Sequence, residues 1–249
     1  MPVPPAVPAA DPLAWLASAE GVPSAFASAR DGIDVMLRDR GLRRTSPETT
    51  AESLLRGAHA SAVLAGSGST LAEVREGEGD AAAGDAVRVA TELLGLAPTL
   101  RTAPLQALAR LHTLAATASQ PAERRGRPRD GDGARRLRGV ADLLTTPTSA
   151  PALLVAAVVH AELATAACFG SHDGLVARAV ERLVAVARGV DEKSLVVPEA
   201  GHLALRAEYE SNLRGYAEGG RAGVHAWALY AAEAWVAGAE ASPLRREAL

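Results

Sequence analysis

The chain has one cysteine (Cys168), one lysine (Lys193) and an aromatic fraction of only 3% in 249 residues. A single cysteine excludes an internal disulfide and gives no sign of an oxidising compartment. Beside Phe169 at a helix end, it reads as a structural thiol, not a reactive one. Aromatic and β-branched runs of period two are nearly absent, which argues against an extensive sheet. The hydrophobic fraction is nonetheless 48%, so the core must be built from Ala, Leu and Val, a composition that favours helix. The net charge of −3 is too small to draw the protein as a whole to nucleic acid or membrane. The excess of Arg over Lys we read as coding bias. The opening MPVPPAVPAADP has no basic region followed by an apolar core, so it does not read as a signal peptide. The most apolar window, residues 150–169, carries His160 and Glu162 and reads as a buried helix, not a membrane span. These absences predict a cytoplasmic protein with no membrane partner.

Catalytic and metal patterns are equally sparse. The six histidines are scattered and none is followed by a Cys or His three or four residues on, so no zinc spacing exists and no metal is predicted. His160, on an apolar helix, is expected to be a core histidine bonded to backbone. No Ser-His-Asp arrangement or Gly-rich phosphate loop is legible.

What the sequence does contain is an organising stretch, Ala150 to Gly189. It reads as helix, polar turn, helix, with the turn at Ala167–Gly174. Leu153, Leu154, Ala157, Val158 and Ala161 make one apolar face. Val176, Ala179, Val180, Leu183, Val184 and Ala187 repeat the pattern, with Arg178, Glu181, Arg182 and Arg188 expected on the opposite, polar side. Asp173 is the expected N-cap of the second helix, and Gly174 allows close backbone approach. A helix N-terminus rimmed by small residues favours an anion.

Around this pair, residues 1–10 read as a disordered Pro/Ala-rich tail and 11–45 as N-terminal helices. The first of these is capped by Asp11, and the second is capped by Ser24 and ended by Gly41. A helix from Pro47 breaks at Gly66-Ser67-Gly68, and Thr70 with Glu73 forms a capping box. Helices are expected over 85–96 and 104–118, with Ser149 capping the first central helix. One helix follows from Pro198 to Gly219, and a last one carries Trp227 and Trp235. Tyr209, Trp227 and Trp235 are expected as core. Residues 119–138 hold seven Arg, two Pro and three Gly without apolar anchors, which predicts a flexible loop, most simply a solvated one. It leaves room for an acidic protein partner. Nucleic acid is not expected, because no aromatics interleave the arginines. Residues 241–249 read as a tail.

The turn resembles the Fic/Doc (Fido) signature H-x-F-x-D/E-G-N-G-R-x-x-R. Phe169 matches its Phe, Gly174 its second Gly and Arg178 its last Arg, with Asp173 where the Asn belongs. Ala167 replaces the His, Ser171 the acid and Leu175 the first Arg. Ser61–Gly66 resembles the inhibitory helix motif S/T-x-x-x-E-G/N of that family, with Ser61 and Gly66 matched and Ala65 where the inhibitory Glu belongs. Arg110-Leu111-His112, and the segment from Tyr209 to Trp227, resemble further parts of the family in the same order.

The resemblance implies an all-α Fic-like bundle over 46–240, built around the antiparallel pair 150–166 and 174–188. A small β-hairpin flap in the Arg-rich interval is allowed. It also implies the family's chemistry, transfer of AMP or a related phosphate group, with a His as general base and an acid holding Mg²⁺. Ala167 cannot take a proton, which alone should cost about 10²–10⁴-fold, and Ser171 is a poor Mg²⁺ ligand, so Mg²⁺ is not expected. Two readings stay open. One is a catalytically degenerate binding or regulatory module whose turn (Ser171, Asp173, Gly174, Arg178) still takes a phosphate-bearing ligand such as ATP or another nucleotide. The other is a nucleotidyl or phosphate-group transferase with His172 as a displaced base. A homodimer is also left open.

Overall fold

The computed structural model of the chain describes residues 11–38 and 46–245. Among these residues all regular structure is helical and no strand occurs. The expected tail over 1–10, residues 39–45 with the helix end at Gly41, and residues 246–249 lie outside the described part.

Two N-terminal helices, the single-turn α1 (Ala14–Ala17) and α2 (Val22–Met36), precede α3 (Pro47–Leu64), α4 (Leu71–Glu76) and α5 (Ala81–Leu93). Then come α6 (Ala97–Thr102), α7 (Pro104–Ala115) and α8 (Gly131–Thr145). The central pair is α9 (Ala152–Ala166) and α10 (Asp173–Ala187), and α11 (Pro198–Ala204), α12 (Arg206–Glu218) and α13 (Gly220–Glu240) close the bundle. The Thr70/Glu73 capping box opens α4 as expected.

The central pair is more enclosed than a one-faced pattern suggests. In α9, every residue from Leu153 to Ala161 is buried, because α8, α12, α13 and α2 surround it. On α10 the expected polar side is also buried: Arg178 is 4% exposed, Glu181 0% and Arg182 2%. Helices α3, α5 and α11 cover that side, and the charged groups meet partners there instead of water. Tyr209, Trp227 and Trp235 are buried, as expected of core aromatics, and Trp227 Nε1 donates to the Ala157 carbonyl at 2.8 Å.

Other boundaries move for local reasons. Helix α2 starts at Val22 behind Gly21, whose φ of +76° is left-handed, so Ser24 is not its cap. Leu13, not Asp11, takes the N-cap position of α1, and Asp11 ties the helix start to a later segment. Its carboxylate accepts from Leu13 N–H at 3.0 Å and also from Thr148 Oγ1 and Ser149 N–H at 2.8 and 2.9 Å. Ser149 is thereby spent on Asp11, and Pro151 takes the N-cap position of α9. The single helix expected from Pro198 to Gly219 breaks at Leu205 (φ −109°, ψ +39°). Helix α11 is directed by contact with α13: a Cβ on Gly201 would strike the Ala234 carbonyl, and one on Gly238 would lie 2.8 Å from the Val197 oxygen. The C-terminal tail begins packed, since Ser242 is fully buried and Arg56 donates to the Ala241 carbonyl at 3.2 Å.

The Arg-rich interval is anchored, not structureless. It holds one 3₁₀ turn, Ala122–Arg124, and from Gly131 it is already α8. The reason is Asp130, whose Oδ1 accepts from Gly133 N–H at 2.8 Å and caps that helix. Arg129 N–H donates to the Cys168 carbonyl at 2.8 Å, and Gly126 N–H donates to His112 Nδ1 at 2.9 Å. The β-hairpin allowed for in this interval is absent among the described residues.

Candidate functional site

Helix α9 ends on Ala167 with φ +46°, and the chain reverses through Cys168–Ser171 to His172 with φ +57°. Two non-glycine residues in the left-handed region cost roughly 1–2 kcal/mol each, so the turn must be held by its contacts. Phe169 stacks on the His112 ring at 4.2 Å between centroids and 5° between planes. Cys168 is fully buried, and burial pushes its thiol up to about 11. It is an inert structural thiol, as the sequence predicted. His172, where the Fic signature has its first Gly, supplies the N-cap residue, so Asp173 is the first helical residue and not the cap.

Asp173 instead reaches back into the turn, its Oδ1 accepting from Phe169 N–H at 2.8 Å. Burial raises its pKa above the ordinary carboxylate range, opposed by hydrogen bonds from the Phe169 and Gly170 amides. The carboxylate therefore occupies amides of the turn itself, ahead of the helix start.

Arg178 is also spoken for. Its Nε donates to Ser61 Oγ at 2.7 Å, Nη2 to the Ser61 carbonyl at 3.0 Å and Nη1 to Tyr209 Oη at 3.2 Å. Ser61 and Arg178, singled out on separate stretches, thus meet across α3 and α10. Gly174 lies against them, with a Cβ there 3.3 Å from Arg178 Nη1. Ala65 and Gly66 do not join them: they are exposed at the end of α3, Gly66 with φ +97°.

Ser171 and His172 face a different neighbour. His112 Nδ1 accepts from Gly126 N–H, so Nε2 carries the ring proton and donates to Ser171 Oγ at 3.3 Å. Burial, helped by nearby His172, lowers the His112 pKa to about 4. A neutral imidazole donating to the hydroxyl cannot take its proton, so Ser171 is not an activated nucleophile. His172 Nε2 lies 3.0 Å from Asp85 Oδ2 and 3.4 Å from Ser119 Oγ. Asp85 in turn pairs with Arg88. The remaining nitrogen of His172, Nδ1, is buried without a partner. A base must reach the proton it removes, and this nitrogen is enclosed.

What opens to solvent beside the turn is a cleft of about 460 Å³. Arg124, Arg127 and Arg129 line it together with Glu123, Phe169, Gly170 and Ser171. Of the sequence-predicted phosphate residues only Ser171 borders it.

Sequence reading missed a buried polar system behind the turn. His160 is not bonded to backbone: its Nδ1 lies 2.6 Å from Glu181 Oε2 and its Nε2 3.0 Å from Tyr209 Oη. His202 Nε2 reaches the same Glu181 oxygen at 2.7 Å, and its Nδ1 meets Tyr230 Oη at 2.8 Å. Burial lowers the His160 pKa to about 4 against the pull of Glu181. Burial raises that of Glu181, but the two histidines outweigh it and hold the carboxylate well below its usual range. Beside this lies a buried ion pair, Arg182 Nη2 to Glu199 Oε2 at 2.7 Å, with Nη1 also donating to Ser53 and Ser194 Oγ. Gly57 makes room for it, since a Cβ there would lie 2.5 Å from Arg182 Nη2 and 2.8 Å from Glu199 Oε2. The paired charges on α10 were visible in sequence, but their partners are 12 to 129 residues away, beyond any local pattern.

No helix among the described residues is long and apolar enough to cross a membrane. No protein-family model and no curated protein matches the chain by sequence. Solved structures do match it in shape. A Fic family protein from Desulfovibrio desulfuricans G20 aligns with a TM-score of 0.70 over 87% of this chain and 73% of its own, at 15% identity. Fic-1 from C. elegans aligns with a TM-score of 0.63 over 86% of this chain and 70% of its own, also at 15% identity. Likeness at this level of identity speaks for the fold, and the chain has the all-helical fold of the Fic proteins.

Proposed function

We propose that the chain is a Fic-fold binding or regulatory module that does not transfer nucleotides, and that it takes an anionic ligand in the arginine-lined cleft beside the 167–172 turn. The observation that carries this reading is the inward commitment of the groups that the signature gives to phosphate. Asp173 closes on the Phe169 amide, and Arg178 is spent on Ser61 and Tyr209. Ala167 offers no base. Arg124 and Arg127 are exposed at the cleft, as is Arg129, which also pairs with Asp130 at 3.0 Å, and guanidinium groups suit phosphate or carboxylate oxygens. The ligand class is therefore a nucleotide phosphate or an acidic stretch of a protein partner.

A second reading has one observation in its favour. Asp85 orients His172 at 3.0 Å, the kind of pairing that positions a histidine base. Incubation with labelled ATP, GTP and CTP and Mg²⁺, in a lysate from the protein's own source, separates the two. The module reading expects no label on any protein. Labelling abolished by His172→Ala would favour the transferase, and labelling that survives that change would sink both. Separately, binding of ATP, expected in the high-micromolar to millimolar range, should weaken in Arg127→Ala and Arg129→Ala.

A further inference from the structure

We propose that His160, Glu181 and His202 form a buried, closed divalent-cation site, structural in role and suited to Zn²⁺. The three side chains come from α9, α10 and α11, are fully buried, and offer one ligand atom each within 4.8 Å of one another. No sequence spacing announces the site, because its ligands stand 21 residues apart in each step. The fold alone brings them together.

Two features distinguish this cluster from a simple hydrogen-bonded core. Both imidazoles aim at the same oxygen, Glu181 Oε2, while Oε1 is buried with no partner at all. A buried carboxylate oxygen left bare is costly and calls for an explanation such as an ion. A cation between the rings would engage Oε1 as well as Oε2, giving two nitrogens and two oxygens. Four donors close the coordination of a structural zinc ion. Bonds of about 2.0–2.2 Å would need the ligands to part by roughly 0.7 Å from their present hydrogen-bonded spacing.

The second feature is the support behind each ring. Tyr209 Oη sits 3.0 Å from His160 Nε2, and Tyr230 Oη sits 2.8 Å from His202 Nδ1. When the near nitrogens face a cation, the ring protons sit on the far nitrogens and donate to these phenol oxygens. Metal-bound histidines are oriented in this way. Each ring stays neutral, and two N–H···O bonds are exchanged for two metal–nitrogen bonds with no net proton released. The set has no thiolate to favour a soft ion. It has too few oxygens for Mg²⁺ or Ca²⁺, and among the ions that imidazole suits a closed four-donor set fits Zn²⁺, since the two-His-one-carboxylate sites of iron keep open positions. The site is enclosed, so the ion would enter during folding and the inference stands apart from the reading of the turn.

The test uses the full chain without an affinity tag, unfolded in guanidinium with chelator and refolded with either Zn²⁺ or chelator. We expect one zinc per chain after desalting, resistance of the folded protein to EDTA, and a higher thermal midpoint than the chelator-refolded protein. Glu181→Gln should hold less than roughly a tenth of an equivalent and lose the zinc-dependent shift. The double variant His112→Ala/His172→Ala should keep the full equivalent. If Glu181→Gln fails to fold, Co²⁺ in the wild type decides: intense visible bands of a four-coordinate N/O site support the proposal, and a weak six-coordinate spectrum overturns it. Wild type that refolds with no bound zinc, or zinc kept equally by Glu181→Gln, would also overturn it.

Discussion

The turn at 167–172 and the polar system a few residues along α10 make an instructive pair. At the turn, the positions that the Fic signature gives to chemistry carry Ala167, Ser171 and Leu175, none able to act as base, carboxylate ligand or cation. Further along the same helix, Arg178, Glu181 and Arg182 keep full charge-bearing side chains in the core. The difference follows from what each change costs. Ala167 and Ser171 are only half-buried and Leu175 packs into the apolar core, so none of the three leaves a charge stranded, whereas removing one member of a buried charged set strands the others.

The sharpest way to break this contrast is Glu199→Ala. It leaves the Arg182 guanidinium buried beside Ser53 and Ser194 and should cost about 3–5 kcal/mol in denaturant unfolding. A cost near that of a surface change would mean the pair is solvated. Ser61→Ala comes next. It removes the Oγ acceptor of Arg178 but leaves the Ser61 carbonyl in place, so about 1–3 kcal/mol is expected by the same measurement.

Acid should act in the same direction through the two buried histidines. With folded pKa values of about 4 for His112 and His160, the unfolded chain takes up protons first, near its ordinary value of about 6.5. Stability is then full above that value and falls as pH drops from about 6.5 toward 4. Unfolding of His112→Gln across this range should show a shallower fall than wild type. An unchanged slope would place the titration elsewhere.

The smallest effect is expected at the rim. His172→Gly relieves a left-handed φ worth about 1–2 kcal/mol while losing the Asp85 hydrogen bond, worth about 1 kcal/mol. The net change in thermal unfolding should stay within about 1 kcal/mol.

These costs also explain what could be read from the sequence. The central helix pair, the Thr70/Glu73 box and the core aromatics depend on spacings of three or four residues, which a sequence displays directly. Ser61 and Arg178 each stand out in the sequence on separate stretches, but their bond spans 117 residues, so the pairing does not. Arg178, Glu181 and Arg182 were expected on a solvated face, because a charge pattern on one helix does not say which helices will cover it. His160 was assigned backbone partners for the same reason. The Arg-rich interval lacked apolar anchors, yet it is fastened by backbone bonds to Cys168 and His112, which composition does not reveal.

The central claim is that Arg178 and Asp173 serve the fold and that any anion meets Arg124, Arg127 and Arg129 instead. Titration of the full chain with ATP, followed by backbone amide and arginine Nε–H resonances, tests it most directly. Shifts are expected at Ser171 and at the cleft arginines, with Arg178 Nε–H still bonded to Ser61 and unmoved. A shift at Arg178 Nε–H and the Asp173 amide, with the cleft arginines silent, would contradict it.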